Sequence, residues 1–183
     1  MSATRWLLAV TLLFLGACAS PPPRPPLSLA PAVDLGRFMG DWYVIAAIPT
    51  VFERGAHAPV DRYELEADGS IATTFSFNAG AFDGPRRVLR SRGFVVAGSG
   101  NAVWGQQYLW PFRADYRIAW LSTDYTQVVI AREKRDYVWI MARTPTIAAA
   151  DYARLQAVVA AQGYDVARLE PMPQRGGANG SSP

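Results

Sequence analysis

Eight short runs of alternating apolar and polar residues follow one another in the middle of the chain, and they restrict its fold more than any other feature. Side chains on a strand point alternately to its two faces, so this alternation predicts strands that bury one face and expose the other. Turn-forming sequences such as Asp68-Gly69 and Asp83-Gly84-Pro85 separate several of the runs. The predicted strands are 42–48, 60–66, 70–78, 87–96, 103–111, 116–121, 126–132 and 136–143.

Eight consecutive strands favour an antiparallel barrel in which each strand pairs with the next. Such an up-and-down barrel closes on itself and so leaves no exposed strand edge. The expected fold class is therefore all-β, an eight-stranded antiparallel up-and-down barrel, with one C-terminal α-helix packed outside it.

The predicted helix covers residues 147–162, with Thr146 as its N-cap and Gly163 as its stop. We expect it to pack on the barrel through an apolar stripe at helical spacing, and a further short strand, 166–169, to return beside the first strand. The residues of the stripe are Tyr152, Leu155, Val158 and Val159.

The first 17 residues have the pattern of an export signal. Arg5 precedes an apolar run, 6–15, which is too short to span a bilayer. The sequence Leu15-Gly16-Ala17-Cys18 resembles the bacterial lipoprotein signal, in which the cysteine is lipidated and becomes the first residue of the mature protein. The alternative is a buried structural thiol. Because Ala19 rather than aspartate follows Cys18, the resemblance favours anchoring in the bacterial outer membrane.

The segments that flank the barrel differ from it in composition. Residues 18–33 hold Cys18 and a proline-rich stretch that predicts an extended tether, and residues 174–183 are rich in glycine and serine and predict a disordered tail. One domain, 34–173, remains. The chain has 18 lysine and arginine residues and 15 aspartate and glutamate residues, a balance that gives no argument for nucleic-acid binding.

Three short motifs carry a family resemblance. Gly40-Asp41-Trp42 resembles the first signature of the lipocalins, Thr123-Asp124-Tyr125 the second, and Arg143 the arginine of the third. In that family the arginine packs across the tryptophan at the closed end of the barrel, and Asp124 would organise its loop by hydrogen bonding. The resemblance therefore assigns Gly40, Trp42, Thr123, Asp124, Tyr125 and Arg143 to closing the barrel.

The similarity extends over about residues 34–170, which resemble bacterial outer-membrane lipocalins and the apolipoprotein D branch. The stretches that carry it are 48–55, 110–112 and 136–146. Because Cys18 is the only cysteine, this chain cannot form the disulfides of apolipoprotein D, and the bacterial branch fits better. The resemblance implies binding of a fatty acid or a lysophospholipid for storage, scavenging or transport, with no cofactor.

Alternation along the strands then predicts which side chains face the cavity. If Arg143 points inward, Met141 and Trp139 share its face, and in the sixth strand Arg117 marks the outer face, which leaves Trp120 inward. Ordinary core packing is the alternative for each of them. The predicted ligand-binding residues are Tyr63, Phe75, Phe77, Tyr116, Ile118, Trp139 and Met141.

Charged residues near the cavity leave further possibilities open. Arginines 86, 87, 90 and 92, and the basic residues Arg132, Lys134 and Arg135, could meet a ligand head group or could simply be solvated. The only histidine, His57, has no thiol partner and no set of metal ligands beside it, so we expect neither catalysis nor a metal site.

One alternative function is an envelope protein with a filled barrel that binds a partner through its loops. It predicts no displaceable ligand. The sequence leaves the oligomeric state open.

Overall fold

The computed structural model describes residues 24–176, so the predicted signal peptide, Cys18 and residues 177–183 lie outside the described part. The described residues form one sheet in the order β2-β3-β4-β5-β6-β7-β8-β1-β9. Its elements are α1 (Leu35–Phe38), β1 (Gly40–Ile48), β2 (Ala56–Leu65), β3 (Ile71–Ala79), β4 (Arg86–Val95), β5 (Val103–Leu109), β6 (Phe112–Leu121), β7 (Gln127–Ala131), β8 (Val138–Ala142), α2 (Ala149–Ala161) and β9 (Glu170–Pro171).

Pairing of β1 with both β8 and β2 closes the barrel. On the β2 side, Gly40 lies opposite Tyr63 and Tyr43 opposite Val60, and every neighbouring pair of strands is antiparallel. The predicted fold class is confirmed. All eight predicted strands are present, although the sixth begins at Phe112 rather than at residue 116.

Two hydrophobic clusters lie on opposite sides of the barrel wall. The inner cluster includes Trp42, Tyr63 and Trp104, and the outer cluster packs Leu155 and Val159 of α2 against the wall. The helix therefore packs outside the barrel, as its apolar stripe predicts.

The start of α2 differs from the prediction. The helix begins at Ala149, and its N-cap is Ala148, which makes no side-chain capping bond. The Thr146 carbonyl instead accepts a bond from the Thr144 hydroxyl, so Thr146 belongs to the preceding turn. The predicted stop holds, since Gly163 follows the helix with a φ of +84° that favours glycine.

The strand predicted at 166–169 is wrong. Residues Val166–Arg168 form a 3₁₀ turn, because the Asp165 side chain accepts a hydrogen bond from the Ala167 amide. The returning strand β9 follows this turn and pairs antiparallel with Ala46 and Ala47 of β1.

The barrel unit extends beyond the predicted boundaries at both ends. Leu27, Ala30 and Val33 are buried in the two clusters, so the described end of the predicted tether packs on the barrel. Gln174 is also buried, and its amide nitrogen donates to the carbonyls of Val44 and Pro59. These bonds bridge β1 and β2 beyond their paired stretch. We therefore expect 24–176, rather than 34–173, to fold as the unit.

Among residues 24–176, neither helix is long and apolar enough to cross a membrane.

Candidate functional site

The two ends of the barrel differ in how they are closed. Loops after odd-numbered strands lie at one end, and loops after even-numbered strands lie at the other, with α1. The end with the even-numbered loops and α1 is plugged by packed aromatic rings and is called the closed end. The end with the odd-numbered loops opens into a cavity and is called the open end.

Trp42 is the centre of the closed end. It is fully buried, its ring packs on Phe38 with 5.1 Å between ring centres, and its Nε1 donates to the Phe38 carbonyl at 2.8 Å. Gly40 has a φ of +95°, and a Cβ there would lie 3.3 Å from a nitrogen of Arg143. Glycine therefore allows both the turn into β1 and the close approach of the arginine.

Arg143 covers the plug from outside. Its guanidinium carbon lies 3.9 Å from the centre of the Trp42 ring, and its nitrogens donate to the carbonyls of Arg37, Phe38, Asp41 and Tyr125. One cation thus joins α1, β1 and the β6–β7 loop. Burial lowers the pKa of Arg143 from its usual value.

The residues of the second motif lie in that loop. Tyr125 adopts a φ of +62°, and its hydroxyl accepts from the Asp34 amide at 2.9 Å, while the Thr123 carbonyl accepts from Arg37. Asp124 accepts from the amide and hydroxyl of Thr126. A hydrogen bond with Ser122, followed by those from Thr126, holds the pKa of Asp124 below its usual value. The loop is therefore braced against α1.

The open end leads into a cavity of about 400 Å³. Its wall combines aromatic rings with a few polar groups. The lining residues used below are Glu53, Asp61, Tyr63, Phe75, Gln106, Asp115, Tyr116, Arg132, Trp139 and Met141.

Five of the seven predicted ligand-binding residues line this cavity: Tyr63, Phe75, Tyr116, Trp139 and Met141. The other two face the interior but do not border the space. Phe77 packs on Phe75 with 5.3 Å between ring centres, and Ile118 lies two residues nearer the closed end than Tyr116, where the barrel is filled.

The inward placement of Trp120 is wrong. The β6–β7 register shifts between Ile118 and Trp120, and such a bulge reverses which face the following side chains occupy. Trp120 consequently packs in the outer cluster, 5.1 Å from the guanidinium carbon of Arg154 on α2.

A carboxyl group lies inside the cavity on β2. Asp61 shares the inner face with Tyr63, whose hydroxyl accepts from that of Tyr116 at 2.8 Å. Burial, followed by the nearby Glu53 charge, raises the pKa of Asp61 to about 8, and the Tyr63 hydroxyl opposes this shift only in part. The Asp61 side chain meets the cavity rather than bulk water.

Glu53 reaches the cavity from the β1–β2 loop. Its two carboxylate oxygens accept from the Trp139 indole at 2.9 Å and from the Thr50 amide at 2.7 Å. Among the described residues, neither Glu53 nor Asp61 has an ion-pair partner.

The remaining charges and one amide complete the polar lining. Asp115 pairs with Arg117 at 2.9 Å, and the same guanidinium pairs with Glu133 at 3.0 Å, while Arg132 lies 3.4 Å from Asp136. Two buried atoms of lining residues have no hydrogen-bond partner, Oε1 of Gln106 and Nε of Arg132. The cavity therefore retains polar groups that a ligand could satisfy.

The sequence prediction missed Glu53, Asp61 and Gln106. The alternation that placed Tyr63 inside also places Asp61 inside, two residues earlier on the same strand, so this signal was available. Nothing in the local sequence distinguishes Glu53, because the path of a loop sets its position.

The predicted basic residues divide into three groups. Arg86, Arg87, Arg90 and Arg92 of β4 are exposed and do not line the cavity. Arg135 is buried and donates to the carbonyls of Pro25 and Gln162, while Lys134 is exposed. Only Arg132 of these seven borders the cavity.

An apolar rim surrounds the cavity mouth. Val51 and Phe52 in the β1–β2 loop are 64% and 71% exposed, and Leu109, Trp110 and Phe112 at the β5–β6 turn are 71%, 81% and 72% exposed. Both loops follow odd-numbered strands and so lie at the open end. Large apolar side chains are unusual on a water-facing surface when they cluster in this way.

His57 lies beside the ring of Phe82 and near the Gly55 carbonyl. Residues 24–176 contain no group of three potential metal ligands.

The family model of the lipocalin-like domain matches residues 33–174. The chain belongs to this lipocalin family. The match covers the closed barrel and its helix, which is the part that the three motifs organise.

Two relatives from bacteria match over most of their length. The chain is 30% identical to the outer membrane lipoprotein Blc of Citrobacter freundii over 165 residues, which cover 88% of this chain and 91% of the relative. It is 28% identical to Blc of Escherichia coli strain K12 over 162 residues, with the same coverage of 88% and 91%.

A solved structure shares the fold. The cockroach allergen Per a 4 superimposes with a TM-score of 0.61 and 22% identity, over 82% of this chain and 94% of the allergen.

Proposed function

We propose that this protein is a lipid-anchored outer-membrane lipocalin of bacteria that binds a fatty acid or a lysophospholipid for storage, scavenging or transport. The observation that carries the proposal is the cavity of about 400 Å³, which is lined by aromatic rings and open at one end. This volume lies within the usual range for small-ligand pockets.

Transfer of an acyl chain from water supplies the driving force. Each methylene that enters an apolar cavity gains about 0.8 kcal/mol, so a chain of ordinary lipid length binds even after the costs of association. Discrimination between similar chains is weak, because the gain depends on area rather than on contact geometry. Selectivity then has to come from the polar groups of the lining.

The outer-membrane location rests on the names of the Blc relatives and on Cys18. Cys18 precedes Pro25 by seven residues, which span at most about 25 Å of extended chain. Pro25 accepts a hydrogen bond from Arg135 in the β7–β8 loop, which lies at the open end. A lipid on Cys18 would therefore hold the open end near the membrane.

The apolar rim supports exchange of ligand with that membrane. Trp110 and Phe112 are exposed beside the mouth, where they can enter the interface and shorten the path of a lipid through water.

Binding rather than catalysis is the proposed activity. His57 is not among the cavity-lining residues, and those residues include no serine, cysteine, lysine or histidine. The alternative of a partner-binding protein with a filled barrel is disfavoured by the open space beneath the rim.

Native mass spectrometry of residues 24–176 purified from bacteria tests the proposal. We expect co-purified lipid, and saturable quenching of tryptophan fluorescence by added fatty acid or lysophospholipid that is weakened in Trp139→Ala. The Tyr43→Ala variant, at a half-buried position on the outer face of β1, is the control for a change of fold. An apo mass together with no response to either lipid would favour the filled-barrel alternative.

A further inference from the structure

We infer that the cavity selects ligands whose head group carries an ammonium, which binds between the carboxyl groups of Asp61 and Glu53. The inference rests on the proposed function, since it concerns the same cavity, and it specifies the chemical class of the ligand.

The first observation is the placement of the two carboxyl groups. Asp61 projects from β2 into the cavity, and Glu53 enters it from the β1–β2 loop. They lie close enough for the Glu53 charge to act on Asp61, and among the described residues neither has an ion-pair partner. A carboxylate that faces an apolar cavity without a cation beside it carries a desolvation cost, and a bound ammonium would offset that cost.

The second observation is an unsatisfied acceptor. Gln106 also lines the cavity and is 3% exposed, and its Oε1 has no hydrogen-bond partner, while its Nε2 donates to the Thr73 hydroxyl. A primary ammonium offers three donors, and a buried acceptor of this kind needs one.

The third observation is the aromatic wall around the same carboxyl groups. Tyr63, Tyr116 and Trp139 all border the cavity, and the Trp139 indole donates to Glu53 at 2.9 Å. Aromatic faces attract cations and do not attract carboxylates. Rings and carboxyl groups together favour an ammonium over an anionic head group.

The other charged groups of the wall do not reverse this preference. Asp115 is already paired with Arg117, and Arg132 contacts Asp136 at 3.4 Å. Arg132 borders the cavity, so its guanidinium can pair with a ligand phosphate there. The same cavity can thus accept either a long-chain amine or a zwitterionic lysophospholipid that carries both an amine and a phosphate.

The affinities for an ammonium and for a carboxylate head group should change in opposite directions with pH. The groups close enough to interact with the charge of Asp61 are Glu53, Tyr63, Tyr108 and Tyr116. Asp115 and Arg132 line the same cavity. In the empty cavity Asp61 is mostly protonated at pH 7, because its pKa is raised to about 8. An ammonium favours the carboxylate, so amine binding releases a proton and strengthens as pH rises toward 8. A ligand carboxylate favours protonated Asp61, so fatty-acid binding weakens over the same interval.

The experiment compares ligands that share an acyl or alkyl chain and differ in head group. Residues 24–176, stripped of lipid, are titrated calorimetrically at pH 6 to 9 with dodecylamine, dodecanol and laurate. The same protein is titrated with lysophosphatidylethanolamine and lysophosphatidylglycerol of one acyl length, which differ in the amine.

We expect the affinity for dodecylamine to rise by as much as about tenfold per pH unit below pH 8, that for laurate to fall, and that for dodecanol to stay constant. At pH 8.5 the ethanolamine lipid should bind about tenfold tighter than the glycerol lipid. Asp61→Asn should remove the pH slopes and most of the tenfold preference, and Glu53→Gln should reduce the preference. Glu64→Gln, an exposed neighbour on β2, should behave as the wild type.

The Arg132→Gln variant distinguishes the two candidate ligands, a long-chain amine and a zwitterionic lysophospholipid. Selective weakening of the ethanolamine lipid, with dodecylamine unchanged, assigns the phosphate to Arg132 and identifies a lysophospholipid. Tight binding of dodecylamine with no binding of the ethanolamine lipid identifies a simple long-chain amine.

Equal or tighter binding of laurate and the glycerol lipid at pH 8.5 would overturn the inference and leave the proposed function standing. Absence of binding by all five ligands would overturn both.

Discussion

The guanidinium carbon of Arg143 lies over the indole of Trp42, 3.9 Å from the ring centre. The cation and the ring are 101 positions apart in sequence, and the contact joins the first and last strands of the eight-stranded barrel at its closed end. Four backbone carbonyls receive the arginine's N–H groups around this contact. The closed end is thus held by one side chain whose planar fork a lysine cannot reproduce.

The first prediction concerns this plug. Trp42→Ala should lower the free energy of unfolding by about 3 to 5 kcal/mol, because a large buried ring is replaced by a cavity. Arg143→Lys should cost about 1 to 3 kcal/mol, because most of the four carbonyls around the guanidinium lose a charged donor. Urea unfolding at pH 7 measures both, with the exposed Arg90→Lys on β4 as the matched control. A Trp42→Ala loss below 1 kcal/mol would contradict the plug's role.

The second prediction concerns the boundaries of the folding unit. A chain that begins at residue 34 should melt at a lower temperature than one that begins at residue 24, because it lacks the buried side chains Leu27, Ala30 and Val33. Differential scanning calorimetry of the two chains measures the difference. The triple variant Leu27→Ser, Ala30→Ser, Val33→Ser in the longer chain should reproduce most of the loss, whereas changing the exposed Pro26 and Pro31 to Ser should not. Equal melting temperatures for the two chains would mean that the folding unit begins at residue 34.

The parts of this structure that follow from sequence are those set by local periodicity. The strand pattern and the three motifs predict the barrel, its plug and five of the seven cavity residues, because alternation along a strand fixes the face of each side chain. The prediction for Trp120 is wrong because one bulge reverses the alternation, and no local sequence pattern indicates that bulge.

Other features depend on long-range packing. The proline-rich segment before the barrel has a composition that predicts a tether. Its residues Leu27, Ala30 and Val33 are nevertheless core residues, because they pack against distant parts of the barrel wall. Glu53 becomes a cavity residue through the path of its loop, which brings it to Trp139 across 86 positions of sequence. Local pattern cannot report contacts of this kind.

The third prediction concerns the apolar rim. Trp110→Ser with Phe112→Ser should reduce binding of residues 24–176 to phosphatidylethanolamine and phosphatidylglycerol vesicles by about tenfold or more, because two exposed rings no longer enter the interface. Vesicle sedimentation measures the bound fraction. Val96→Ser changes a residue that is 49% exposed at the closed end, and it should leave vesicle binding unchanged. Equal loss in the Val96 variant would mean that the rim is not the membrane-facing end.

The fourth prediction concerns the pH dependence of stability. The pKa of Asp61 is about 8 in the folded protein and has its usual value of 3.8 in the unfolded chain, so between these values the folded state holds a proton that the unfolded state has lost. The contribution of Asp61 is fully present below pH 3.8 and is lost as pH rises toward 8, by at most about 1.4 kcal/mol per pH unit. Asp61→Asn removes this loss, so its stability relative to the wild type should increase from pH 5 to pH 8.

Chemical unfolding at pH 5, 6.5 and 8 checks this sign, with Glu64→Gln as the control for loss of an exposed carboxylate on the same strand. A difference between Asp61→Asn and wild type that stays constant over the three pH values would mean that the carboxyl group is ionised in the folded protein. It would then be a solvated group rather than a desolvated one, because burial is the largest cause of its raised pKa.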